Sequence, residues 1–416
     1  MRKIHLIILI VVFCGINVSS QNTKLKEVPS KLKKILSGMK FFDDATFTMG
    51  RHSEFKPTES DSTLIAWLSP YRKFVSSFYI SDHEVTNSEY KEFVSWVETS
   101  VKEKKKKSDP GYSLLSALNP SEYVYEYTIA NKIYTINIYP DTACWTREFK
   151  YAYNEPMAAQ YFQNKAYANY PVVGITYFQA EAYCYWKTQM LNTLIKKLFG
   201  ESTTIKAQFR LPLEEEWEYA AIPAYKETES FISLYPWDDF GFRNGKGLYK
   251  ANFGPVEDAN GVSVKSFIDD NAFHTAAVKQ YNPNSRNIYD MAGNVAEWTS
   301  TPSINTGVPT GLGDTIFFKH TDGYTTGYSK AYQLMHAWNK TSIQRDTNEI
   351  KIRVTNMAFA NIHDAQVIHR YSPGRIVKGG SWFSSLIYLQ PGTKEVWYEK
   401  RGSCRIGFRV AMELWQ

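Results

Sequence analysis

The 416 residues of the chain, 43% hydrophobic and 15% aromatic, suffice for a sizeable core, arranged as two domains or as one large irregular one. A net charge of +6, spread over 48 basic and 42 acidic residues, is too mild and too evenly mixed for a nucleic-acid partner. One of the four cysteines lies in the leader, so Cys144, Cys184 and Cys404 allow at most one intramolecular bridge and exclude a fold framed by disulfides.

In chain order, residues 1–20 read as a secretory signal: Arg2-Lys3 give a positive start, residues 6–15 an apolar core, and Val18-Ser19-Ser20 a small-residue cleavage pattern before Gln21. The expectation is an exported chain that matures near Gln21. Cys14 offers a lipoprotein alternative, disfavoured by the bulky Phe13 beside it. No later stretch is long and apolar enough to span a bilayer. Residues 21–40 form a basic leader.

Residues 41–50 predict a strand, 51–72 a polar loop, and 74–80 a second strand by aromatic and β-branched content. Thr86 and Glu89 make a capping box, and Tyr90, Phe93, Val94 and Val97 follow at helical spacing, which predicts an amphipathic helix. Its basic run at 104–107 reads as a solvated helix end and loop. Alternating Tyr123, Tyr125, Tyr127 and Ile129, then residues 133–138, predict a hairpin around Asn131-Lys132. Pro140 and Pro156 punctuate an extended loop. Thr176 and Gln179 cap a second helix that turns Ala180, Tyr183 and Cys184 inward, which makes that thiol core rather than nucleophile. Arg210-Leu211-Pro212 opens a third helix, whose Glu214, Glu215 and Glu216 complement the helix dipole and face solvent. Residues 222–285 are loop-dominated, and 300–375 form a long insertion with a strand-like piece at 350–354. The insertion carries His320, His336, His363 and His369 at no metal-ligand spacing. Residues 376–382 and 405–410 read as short strands interrupted by glycine.

The run at 287–299 suits neither an ordinary helix nor an ordinary strand. Gly293-Asn294 is a turn signal, because both residues tolerate positive φ. Asp290 and Glu297 flank it, and with the carbonyls of Gly293 and Val295 they could cage a hard cation such as Ca2+. The same residues also read as a turn whose carboxylates cap backbone N–H groups.

Glu84-Val85-Thr86-Asn87, Pro171-Val172-Val173-Gly174, Arg210-Leu211-Pro212, Asp290-Met291-Ala292-Gly293-Asn294-Val295-Ala296-Glu297-Trp298, Gly379-Gly380-Ser381-Trp382 and Gly407-Phe408-Arg409, in that order, resemble the formylglycine-generating-enzyme (sulfatase-modifying factor) family. The resemblance covers about residues 41–412. It implies a single loop-rich α+β domain at 41–416, with insertions near 100–165 and 300–375. It also implies two calcium sites, one at Asp290 and Glu297 with the carbonyls of Gly293 and Val295. The other is at Asn252 and Asp270, with the carbonyls of Phe253 and Ala272. Enzymes of the family oxidise a sulfatase cysteine with copper held by two cysteines. The matching positions here are Ser384 and Leu389, and neither supplies a thiolate for a soft metal. Cys404 lies outside them, with no cysteine close in sequence. The implication is a protein without copper and without catalysis.

Phe93-Val94-Ser95-Trp96-Val97, Tyr139-Pro140-Asp141-Thr142, Tyr151-Ala152-Tyr153-Asn154-Glu155-Pro156-Met157 and Pro391-Gly392-Thr393 resemble, more narrowly, the GldK/PorK and GldJ group, non-catalytic members of the fold in Bacteroidetes. That resemblance implies a structural subunit of type IX protein secretion and gliding motility. It would form a ring with a GldN/PorN-like periplasmic partner and other secretion-apparatus subunits, at the inner face of the outer membrane. Two alternatives stay open: a formylglycine-type oxidase with an unusual site, and a carbohydrate or peptide binding module on the same fold.

Overall fold

The computed structural model describes residues 23–50, 71–108, 121, 123–148, 154–223, 234–237, 241–257, 263–266, 269–302, 315–317, 366–368 and 374–416. The signal at 1–20, nearly all of the 51–72 loop, the piece at 350–354 and His320, His336, His363 and His369 lie outside these residues.

The elements in the first half of the chain are β1 (Met39–Phe42), β2 (Ala45–Met49), β3 (Tyr71–Val75), β4 (Phe78–Ser81), α1 (Asn87–Ser108), β5 (Val124–Ile129), β6 (Lys132–Asn137), α2 (Cys144–Glu148), α3 (Glu155–Gln160) and α4 (Tyr177–Phe199). The second half adds β7 (Lys206–Arg210), α5 (Glu214–Ala221), β8 (Val256–Glu257), β9 (Ser263–Lys265), β10 (Ala296–Pro302), β11 (Thr315–Phe317), β12 (Gln366–Ile368), β13 (Gly374–Lys378), β14 (Lys394–Tyr398), β15 (Ile406–Gly407) and β16 (Ala411–Trp415). One four-stranded sheet runs β1-β4-β16-β7, the other β14-β13-β10-β15. The last strand therefore sits inside the first sheet, between β4 and β7, and shares one layer with β1. No described helix is long and apolar enough to cross a membrane.

Both long helices start as their capping residues dictate. Glu89 N–H donates to Thr86 Oγ1 at 3.2 Å while Thr86 N–H donates to Glu89 Oε2 at 2.9 Å, and Thr176 and Gln179 repeat the exchange at α4. Tyr90, Phe93, Val94 and Val97 of α1 are buried against Tyr183, Cys184 and Trp186 of α4, with Phe408 completing the cluster. Each such aromatic or aliphatic side chain stabilises the fold by about 1.5–3 kcal/mol. The β5–β6 hairpin turns at Ala130 and Asn131, both at positive φ, the geometry that matches the twist of the strands.

The elements depart from the sequence expectations in several places, among them the strand expected at 74–80, which is divided into β3 and β4. Asp43-Asp44 divides the 41–50 strand into β1 and β2, because Asp44 Oδ1 accepts the Ser77 N–H and turns the chain there. The loop expected between Pro140 and Pro156 contains α2 and α3, with Pro156 tolerated in the first turn of α3, where an N–H has no helical partner. Arg210-Leu211-Pro212 ends β7 and leads to the helix without belonging to it. The glutamates of α5 are also not a solvated face, since Glu214, Glu216 and Glu218 are buried among cationic partners.

Candidate functional site

The turn at 287–299 is held in a conformation open to few residues. Asn287, Asp290, Gly293 and Asn294 all have positive φ. At Gly293 a side chain is excluded outright, because a Cβ would stand 1.9 Å from the Asn252 carbonyl oxygen. Gly293 N–H donates to Gly379 O at 2.9 Å, and Asn294 N–H donates to Asn252 O at 2.8 Å. The turn is thus stitched between the loop at 252 and the Gly379-Gly380 bend. The chain then enters β10, whose Trp298 donates its indole N–H to Ile175 O at 2.9 Å.

Four elements converge behind this turn. Glu297 is fully buried and both its oxygens are engaged: Arg409 Nη2 donates to Oε1 at 2.6 Å, Arg409 Nε to Oε2 at 2.6 Å, and Trp217 Nε1 to Oε2 at 2.7 Å. The rest of the guanidinium donates to the carbonyls of Ser81 and Tyr289, at 3.2 and 2.9 Å. A planar fork suits this better than an ammonium would. Glu84, also fully buried, accepts Asn294 Nδ2 at 2.6 Å and Val295 N–H at 3.1 Å. Burial, then the nearby Asp290 and Glu297 charges, pushes the Glu84 carboxyl well above its usual range. Burial likewise pushes Asp290 up to about 6. Three buried carboxyl groups thus lie near one guanidinium, and their mutual repulsion adds to the burial that raises Glu84 and Asp290. A second buried ionic group lies alongside: Lys378 Nζ meets Glu218 at 2.8 Å, and Lys394 Nζ meets Glu214 at 3.2 Å.

The residues expected to bind calcium are brought together. Phe253 N–H donates to Asp270 Oδ2 at 2.9 Å, Ala272 follows on the same loop, and Asn252 Nδ2 donates to His274 O at 2.7 Å and to Asn294 Oδ1 at 3.3 Å. Both candidate ligand sets therefore share one buried neighbourhood. Their fit to a cation is uneven. Asp290 Oδ2 accepts Lys279 N–H at 2.8 Å, while its buried Oδ1 has no hydrogen-bond partner among the described residues and suits a hard cation. Glu297 has no free oxygen and does not suit one while Arg409 holds it. Among the described residues, no three His, Cys, Asp or Glu side chains converge closely enough to hold a metal ion by themselves.

Glu84, Arg409, Asn294, Trp217 and Lys378 form the centre, and sequence reasoning did not single them out as site residues. The available signal was charge in apolar company: Glu84 before Val85, Arg409 between Phe408 and Val410, and Lys378 after Ile376-Val377.

Ser384 sits in the bend after Gly379-Gly380. Its hydroxyl accepts Ser381 N–H at 2.9 Å and lies 3.0 Å from Ser381 Oγ. Leu389 is 0% exposed and packs with Tyr235, Tyr249, Ala251, Phe253 and Ala292. Elsewhere a cleft of about 350 Å3 opens beside the basic leader, lined among others by Asp82, His83, Glu89, Lys187 and Lys279. Burial works against charge on His83 there, but hydrogen bonds to Asp82 and Glu89 hold its pKa above the usual imidazole value.

A sulfatase-modifying factor enzyme 1-like domain model matches residues 27–414. The formylglycine-generating enzyme of Mus musculus is 25% identical over 230 residues, 55% of this chain and 50% of that protein. The inactive Cα-formylglycine-generating enzyme 2 of Bos taurus is 29% identical over 134 residues, 32% of this chain and 33% of that protein. The chain thus spans half the length, or less, of these two relatives. Among solved structures, Treponema denticola variable protein 1 superposes at a TM-score of 0.40 and 17% identity, covering 90% of this chain and 94% of that one. With nearly its whole length matched by one family model, the chain belongs to the sulfatase-modifying factor (formylglycine-generating-enzyme-like) family, which includes both enzymes and inactive members.

Proposed function

We propose that this protein is a non-catalytic assembly subunit of a type IX protein secretion and gliding apparatus, built on the fold of the enzymes but without their chemistry. The observation that carries the non-catalytic part is the pair of positions where the enzymes hold copper. Ser384 there is bound to its neighbour Ser381, and Leu389 is sealed in an aromatic cluster. Neither offers a thiolate to a soft metal. Relatives that carry the word inactive in their names are consistent with this reading. The assembly role rests on the motifs at 93–97, 139–157 and 391–393. It places the protein at the periplasmic face of the outer membrane, beside a GldN/PorN-like ring partner. Affinity purification of the tagged protein from its own cell envelope tests that role. Stable co-purification of envelope subunits is expected, and recovery of a lone monomer contradicts it.

Calcium enters this proposal as a structural ion. It would be held by Asp290 with the carbonyls of Gly293 and Val295, and by Asn252 and Asp270 with the carbonyls of Phe253 and Ala272. Added calcium should then raise the melting temperature, EDTA should reverse the rise, and an unchanged melting temperature would remove calcium from the account.

A further inference from the structure

We infer that Cys144 and Cys404 are joined as a disulfide in the mature protein, clipping helix α2 to the segment that enters β15. Cys144 opens α2 and Glu148 closes it one turn later, so both project from the same helix face. Glu148 Oε2 accepts Ser403 Oγ at 2.7 Å, Cys404 Sγ at 3.4 Å and Arg405 Nε at 3.4 Å. Arg147 adds a hydrogen bond to Gly402 O at 3.1 Å. These contacts seat α2 directly on residues 402–405, and Cys144 and Cys404, both free thiols in the structure, belong to one buried cluster. Both thiols are wholly buried in an apolar shell that includes Trp145, Tyr161, Val295 and Trp382. Cys184, the third cysteine, belongs to the other face of the core, with Tyr183 and Trp186.

The surroundings set when the bond forms and why it lasts. Burial pushes both thiols up, so the thiolate needed for exchange is scarce once the shell has closed. The bond therefore forms during folding in an oxidising compartment, by exchange with a disulfide of the glutathione or oxidoreductase class. A thiolate of one cysteine attacks that disulfide, releases one thiol and forms a mixed disulfide. The second cysteine then attacks the mixed disulfide and releases the other thiol, so two protein thiols become one S–S bond as one external disulfide becomes two thiols. After closure the same shell excludes reductants. The loop closed spans more than half the chain, which restricts the unfolded state strongly. The inference depends on export and not on the secretion role.

The test uses the mature chain from Gln21, refolded either with a mixture of reduced and oxidised glutathione or with a phosphine reductant. Each product is then unfolded in guanidinium with an alkylating reagent and digested. In the oxidised sample one alkylated thiol, Cys184, and a linked peptide pair containing Cys144 and Cys404 are expected. The oxidised form should melt roughly 5–10 °C above the reduced one. Cys144→Ser should abolish that difference and Cys184→Ser should preserve it. Three alkylated thiols in the oxidised sample, or a bridge that includes Cys184, would overturn the inference. The thiol count on the wild-type chain decides this even if a serine variant does not fold.

Discussion

The turn at 287–299 and the bend at 379–389 touch, through Gly293 N–H to Gly379 O and Trp382 N–H to Asn294 O, at 2.9 and 2.8 Å. They nevertheless differ in the groups they bury. The turn carries two acidic groups that are costly to bury: Arg409 and Trp217 tie Glu297 from distant elements, while Asp290 accepts the N–H of the nearby Lys279. The bend is shaped by Gly379, Gly380 and Trp382, and carries a hydroxyl bonded to Ser381 and a buried leucine at the two positions that the proposed reading matches to the copper ligands of the enzymes. On the proposed reading, frame and chemistry are separable in this fold: the frame is held by buried charge, while the reactive groups of the enzymes occupy side chains that the frame does not need.

The largest expected effect breaks the frame. Arg409→Leu leaves Glu297 buried without its partner and should cost about 3–5 kcal/mol of unfolding free energy, read by denaturant titration. A loss under about 1 kcal/mol would mean that the guanidinium is not the keystone. A smaller effect sharpens the charge imbalance at Asp290. Its folded pKa is raised from 3.8 to about 6, so the stability contributed by the protonated form is fully present below the ordinary value. That contribution is lost as pH rises through about 6. Asp290→Asn keeps a neutral side chain throughout and should gain on the wild type between pH 4 and 7, by on the order of 2 kcal/mol without calcium. Parallel pH curves for the two proteins would contradict the assignment. The smallest effect belongs to the bend. Ser384→Ala removes a hydroxyl that, among the described residues, is bonded locally to Ser381, and should cost about 0.5–1.5 kcal/mol in the same titration, with no effect on assembly.

Much of the frame was legible in the chain. The two capping boxes, the spacing of Tyr90, Phe93, Val94 and Val97, and the positive-φ signal of Gly293-Asn294 each act locally, so sequence neighbours were enough to read them. The burial of Glu214, Glu216 and Glu218 was not legible. It depends on Arg210, Lys378 and Lys394, and the two lysines arrive from strands more than 150 residues away. The same holds for Glu297, whose flanking residues fit a cation cage equally well until Arg409 and Trp217 are placed against it. Strands β7, β14 and β16 were missed because their pairing partners, not their own alternation, define them. Cys404 had no cysteine near it in sequence, and only the fold sets Cys144 beside it.

The central claim, a family frame without the family's oxidation chemistry, is tested most directly by incubating the purified mature protein with copper and a cysteine-containing sulfatase peptide, with mass spectrometry of the peptide as the readout. The account predicts that the cysteine stays unconverted at every copper concentration, while an active formylglycine-generating enzyme in parallel converts it. Aldehyde formed by this protein, above a no-protein control, would contradict the account.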